Sequence, residues 1–220
     1  LHMQNETHMA VTISNFDGDL LHADLHIEHP ESDDSLNVVI PWNRQLFQHT
    51  AKHHTLPTRG FVKIGDKRYL FNPEESYAIL DYGRGVWPRT ASWHWAMASQ
   101  RVGHKRIALN FGGKWTDGTG MTENAVFVNG KMSKISEDVI FTHDETDFMK
   151  PWHIKSKFSQ DVNLTFTPFF KRESKLNARL VKSNVYQMVG YYNGVVYLQD
   201  GSRLAITQLL GSIEDHNAKW

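Results

Sequence analysis

Two arginines and three tryptophans crowd into one short stretch, Asp81-Tyr82-Gly83-Arg84-Gly85-Val86-Trp87-Pro88-Arg89 followed by Ser92-Trp93-His94-Trp95. An arginine offers a planar fork of donors for a polar head, and an indole offers a broad apolar wall. Glycines flank Arg84 and a proline follows Trp87, which predicts an irregular turn in place of a strand interior. Beyond it, alternation over 92–99 predicts a strand with Trp93, Trp95 and Met97 on one face. Ser92, His94, Ala96 and Ala98 fall on the other. Arg84, Trp87, Arg89, Trp93 and Trp95 are therefore candidate ligand-binding residues, and Asp81 and His94 are candidate acid–base groups. The structural alternative is an arginine paired with Asp81 to tie down a corner, with the tryptophans filling a core.

A second polar stretch runs Asn110-Phe111-Gly112-Gly113-Lys114, then Gly118-Thr119-Gly120-Met121-Thr122-Glu123-Asn124. Its glycines let backbone approach a ligand closely. It contains neither a phosphate-binding loop nor a dinucleotide fingerprint, so nucleotide binding is unsupported. Glu123 and Asn124 open a candidate strand, so one of the two is expected to point inward, and a buried glutamate can serve as a general acid. Asn110 or Asn124 could orient a substrate. The alternative is a long hairpin loop in which both asparagines bond to backbone.

The pattern His22-x-Asp24-x-His26-x-Glu28 places four possible metal donors on one strand face. The same alternation is what any half-exposed strand shows, so no metal is assigned. His49, His53 and His54 have no ligand spacing. In the tail, Glu214, Asp215 and His216 are adjacent and diverge. A short helix over 213–219 is expected there, capped by Ser212, with Trp220 packing back. No catalytic serine elbow is present.

Lys plus Arg and Asp plus Glu are 24 each, and this zero formal charge argues against nucleic acid as a partner. It also removes any pull toward anionic membranes. With no cysteine, disulfides, cysteine-ligated zinc, iron–sulfur clusters and thiol nucleophiles are excluded. The lack of disulfides fits a reducing compartment, and a cytoplasmic location is expected. No apolar run is long enough for a membrane helix. Neither a cofactor nor an oligomeric state is implied. The opening Leu1-His2-Met3 reads as a cloning remnant or a cut from a longer chain.

Period-two alternation broken by turn dipeptides dominates the chain. Asp17-Gly18, Gly65-Asp66, Asn129-Gly130, Asn193-Gly194 and Asp200-Gly201 are all predicted hairpin turns. The fold class expected is all-β, antiparallel and hairpin-rich, a sandwich, a barrel or strongly curved sheets, with few short helices. Arg44–His53 could hold two helical turns, and 30–35 and 171–177 read as polar loops.

The segments LDYGRGVWPRTASWHWAMAS (Leu80–Ser99), IALNFGGKWTDGTGMTENAVFVNGKMSKI (Ile107–Ile135), KHHTLPTRGFV (Lys52–Val62) and the ending GYYNGVVYLQDGSRLAITQLLGSIEDHNAKW resemble a mainly bacterial family, domain-of-unknown-function family 2804. The resemblance implies a lipocalin-like, calycin-like β-barrel, distantly similar to carotenoid hydratases and tocopherol cyclases, that handles apolar molecules. It implies no catalytic residues. Members carry an additional N-terminal region, so residues 1–36 are expected to be N-terminal strands left from a preceding region, and residues 37–220 the barrel domain. Two functions are in view. One is binding of a small hydrophobic or amphipathic ligand, its body against Trp87, Trp93 and Trp95 and its head at Arg84 or Arg89. The other is a cofactor-independent hydratase, isomerase or cyclase with Glu123, Asp81 or His94 as the acid.

Overall fold

The structure is a computed structural model that describes residues 5–178 and 180–220. All of its regular structure is strand. The first six are β1 (Glu6–Phe16), β2 (Asp19–Glu28), β3 (Leu36–Pro41), β4 (Phe47–Ile64), β5 (Lys67–Phe71) and β6 (Tyr77–Val86). Nine follow: β7 (Thr90–Val102), β8 (Lys105–Gly113), β9 (Ala125–Val128), β10 (Lys131–Lys134), β11 (Val139–Thr142), β12 (Trp152–Ser156), β13 (Val162–Asn177), β14 (Lys182–Tyr197) and β15 (Arg203–Lys219). Among the described residues, no helix is long and apolar enough to cross a membrane.

The first group forms a six-stranded sheet built around β4. The first half of β4 pairs with β3 and β6, and its second half with β2 and β5. The two halves meet at Thr55, whose φ of 51° coincides with a register shift against β6. The second group forms a nine-stranded sheet in the order β10-β9-β8-β7-β15-β14-β13-β12-β11. It curls until β11 returns to the end of β8, where a Cβ on Gly113 would stand 3.1 Å from the Phe141 ring. The result is a half-barrel, and the expected antiparallel, curved-sheet class holds.

Four of the expected turn dipeptides join hairpins. At Asp17-Gly18 and Asn129-Gly130 both residues have positive φ, as a tight two-residue turn demands. Asn193-Gly194 is different: it lies inside β14, at a bulge against β15. The expected helices are also strands. Residues 47–53 belong to β4 and the tail to β15, because neighbouring strands supply ladder partners that outweigh local propensity. Residues 171–177 continue β13, while 30–35 is the expected loop.

The concave face of the half-barrel is solid. Trp152, Tyr192, Phe111, Phe166, Leu164 and Met188 fill it with no exposed surface. An open ligand hollow in the middle of the barrel is thus replaced by a packed core. The opposite face of β8 and β9 carries Ala108, Ala125 and Phe127, which pack against Leu36 of β3. The two sheets therefore lie against each other, and alternate residues of β7–β9 serve different compartments.

Candidate functional site

Between the two sheets is a cleft of about 240 Å³. One wall is β4, whose alternation sends Gln48, Thr50 and Lys52 into it. Those residues stand opposite Gly85, Gly83 and Asp81 of β6. The glycines are there for space. A Cβ on Gly83 would sit 2.1 Å from Gln48 Nε2, and one on Gly85 2.6 Å from Gln48 Oε1. The Gly-Arg-Gly run is therefore part of a strand with two bare positions under Gln48, correcting the irregular turn expected there.

The other wall is aromatic. Trp93 and Trp95 project from β7, joined by Trp87 and Trp115 from loops. The Trp87 and Trp115 rings stack with centroids 5.4 Å apart. Every one of these indole N–H groups donates to a protein oxygen: Trp87 to Gln48 Oε1 at 2.7 Å, Trp93 to Glu214 Oε1 at 3.0 Å, Trp95 to Asn110 Oδ1 at 2.9 Å, and Trp115 to Glu123 Oε1 at 2.6 Å. What the rings leave for an occupant is their apolar surface.

Glu123 is at the floor, 1% exposed. Gly112 makes room for it, since a Cβ there would fall 2.0 Å from Glu123 Oε1. Its Oε2 lies 3.2 Å from Lys52 Nζ, yet accepts no well-aligned hydrogen bond among the described residues. Lys52 Nζ also reaches Asp81 Oδ2 at 2.9 Å and lies 4.2 Å from the centre of the Trp95 ring. Burial pushes the Lys52 ammonium toward the neutral form, but the carboxylates of Glu123 and Asp81 outweigh it and hold its pKa above the ordinary value. Removing either charge would strand the other in a poorly solvated place.

Beneath the cleft, Asn110 is fully buried and ties its parts together. Its Oδ1 accepts from Trp95 and lies 3.2 Å from His54 Nε2, and its Nδ2 donates to the Glu123 carbonyl at 2.6 Å. His54 is pushed down to about 4 by burial, the Asn110 contact opposing only in part. Asn124 does not reach the cleft. Its side chain accepts from Gly112 N and donates to the Glu137 carbonyl, both at 2.9 Å, which is the backbone-bonding alternative.

Asp81, Trp87, Trp93, Trp95 and Glu123 thus meet at one cleft, with Asn110 behind them. The arginines do not. Arg84 pairs across from His49 on the other face of β6 and is exposed. Arg89 is exposed and outside the lining, its carbonyl accepting from Trp220 N. The cation that meets Asp81 is Lys52. Sequence reasoning missed Gln48, Thr50, Lys52, Trp115 and Glu214. The available signal was the period-two polar series 48, 50, 52, 54, which reads as a strand face once the helix expected over 44–53 is discarded.

His94 faces the other way, onto the mouth of the half-barrel. Its Nε2 lies 2.8 Å from Asp215 Oδ2, and Lys114 Nζ stands 2.7 Å from the same oxygen. Burial lowers the His94 pKa despite that carboxylate. Asp215 is held at about 2: burial opposes ionisation, but the His94 and Lys114 contacts prevail. As a strand, the tail divides its polar residues, sending Asp215 to the mouth and Glu214 to the cleft, with the His216 ring 4.1 Å from that of Trp93. The expected set on β2 is also rearranged. His26 and Asp24 are joined by His8 of β1, while His22 meets Thr12.

The family described as Domain of unknown function (DUF2804) matches residues 1–220. The chain belongs to the DUF2804 family. Among solved structures, the DUF2804 chain is similar to kievitone hydratase from Nectria haematococca, with a TM-score of 0.54 and 8% sequence identity. The match covers 98% of this chain and 65% of the hydratase, so the DUF2804 chain spans just under two thirds of that protein. At this identity the likeness is one of fold, and that fold is lipocalin-like. No functionally curated sequence matches the chain.

Proposed function

We propose that this DUF2804 chain binds a small, neutral amphipathic molecule in the cleft between its sheets. The apolar body lies against Trp87, Trp93 and Trp95, and a hydroxyl or phenol meets Lys52, Thr50 and Glu123. The observation that carries this reading is the tryptophan wall whose N–H groups are all engaged, facing a buried ion pair. Asp81, Glu123 and Glu214 set three carboxylates against the one ammonium of the lining, Lys52. Such a site disfavours an acid and accepts a neutral hydroxyl.

Calorimetric titration with 1-naphthol and with 1-naphthoate tests this. The naphthol binds and the naphthoate binds more weakly. Trp95→Ala weakens naphthol binding about three- to tenfold, the worth of one aromatic contact. Arg84→Ala leaves it unchanged. Equal binding of the two compounds, or equal effects of the two substitutions, refutes the reading.

A second reading is favoured by the buried Glu123 Oε2, which lies 3.2 Å from Lys52 Nζ, accepts no aligned hydrogen bond among the described residues and so has room to accept a hydrogen bond from a bound molecule. On it, the cleft carries out a cofactor-independent hydratase, isomerase or cyclase reaction on an apolar alkene. Hydration needs one proton delivered to carbon and one removed from the attacking water, so two facing groups such as Glu123 and Asp81 suffice. Geraniol incubated with the chain in deuterium oxide would gain the mass of one D2O. Glu123→Gln abolishes that gain and keeps naphthol binding; unchanged turnover in this variant eliminates Glu123 from the chemistry.

A further inference from the structure

We propose that His94, His143 and Asp215 form a binding site for a divalent transition metal of the zinc class at the mouth of the half-barrel. This site is separate from the cleft, because His94 and Asp215 occupy the opposite faces of β7 and β15 from Trp93 and Glu214. His94 and Asp215 are direct cross-strand partners. His143 comes from the segment between β11 and β12. One donor atom from each lies within 4.8 Å of the other two. Zinc holds nitrogen and oxygen donors at about 2.0–2.2 Å, so its donors stand about 3.3 Å apart. A small closure of His143 toward the pair is enough.

Three features beyond proximity favour a ligand here. His143 Nδ1 is buried and has no hydrogen-bond partner among the described residues. An orphaned ring nitrogen of this kind calls for a partner that the chain itself does not supply. The ring is held by stacking on Trp152 at 3.7 Å, so its direction is set. Asp215 is braced from behind, its Oδ1 accepting from Asn217 Nδ2 at 2.8 Å, the kind of outer contact that orients a metal-binding carboxylate.

Two imidazoles and one carboxylate are a borderline donor set suited to zinc, cobalt or iron. Clefts of about 530 Å³ and 460 Å³ adjoin the three residues, which leaves a coordination position open to water or a small molecule. Lys114 now supplies the positive charge at Asp215 Oδ2. Its side chain is 37% exposed and can swing into solvent, so it competes with the metal and is no part of the site.

Cobalt(II) titration of the full chain, followed by visible absorption, tests the assignment. The expected result is a saturable increase in visible bands, reversed by zinc. His143→Ala weakens cobalt binding at least tenfold, and as a half-buried loop residue it leaves the fold intact by circular dichroism. Lys114→Ala strengthens binding several-fold, which a purely structural role for these residues would not produce. His8→Ala, in the exposed cluster on β1 and β2, changes nothing at the visible bands. The proposal is overturned if no cobalt binds at micromolar concentration, if His143→Ala binds normally, or if His8→Ala abolishes the signal.

Discussion

The cleft and the half-barrel interior share the strands β7 and β15 and differ in nearly everything else. On one face, Trp93, Trp95 and Glu214 meet polar side chains from a separate sheet. On the other, Ala96 and Ile213 join a core that the large sheet makes from its own residues, with His94 at its mouth. The interior can be dry because every neighbour comes from one curled, hydrogen-bonded sheet. The cleft needs polar partners because its two walls are not joined by a ladder. Gln48, Lys52 and Asn110 provide the bonds instead. Curling the large sheet thus yields stability, and laying a second sheet across its back yields a site.

This contrast can be broken at several points. Trp152→Ala should cost the interior about 3–5 kcal/mol, the usual penalty for deleting a large buried aromatic. Molecules that remain folded should bind naphthol normally, as urea unfolding and titration of one sample would reveal. Lys52→Met should cost about 3 kcal/mol by leaving Glu123 buried without its cation, and should weaken naphthol binding as well. If the double variant with Glu123→Gln recovers no stability, the pair is not coupled.

Acid should attack the cleft side first. The unfolded chain takes up a proton at His54 near 6.5, whereas the folded chain resists until about 4. Protons therefore favour unfolding across that window, and stability present at pH 7 is lost as pH falls. Between pH 7 and pH 5 this amounts to about 2 kcal/mol. His53 and His94 are also lowered, chiefly by burial, and add in the same direction. His54→Gln, which keeps a donor for Asn110, should flatten the dependence in denaturation midpoints measured across that range. The smallest effect belongs to Arg84→Ala, an exposed change expected to stay within about 0.5 kcal/mol.

Much of this was legible in residue order. Turn dipeptides located four hairpins, and alternation separated Trp93 and Trp95 from His94. Strand parity offers one of Glu123 and Asn124 to the interior, whereas both are buried, in the loop that leads into β9. What escaped was information carried by distant partners. Gly83 and Gly85 look like a turn because the reason for them, the Gln48 side chain, lies on another strand. Arg84 and Arg89 drew attention by residue type, while Lys52, set among histidines, was read into a helix. β4 could not be recognised as the hub of its sheet, since pairing with four other strands leaves no local mark.

The indoles of the cleft have an optical consequence. Trp42, Trp93, Trp115 and Trp220 all lie with ring centroids within 6.0 Å of Trp87. Chromophores so near and so unequally oriented share their excitations, and the chain should display a split ultraviolet dichroism band. A guest that slides between the rings would rewrite that couplet, so the protein carries its own label-free reporter of occupancy.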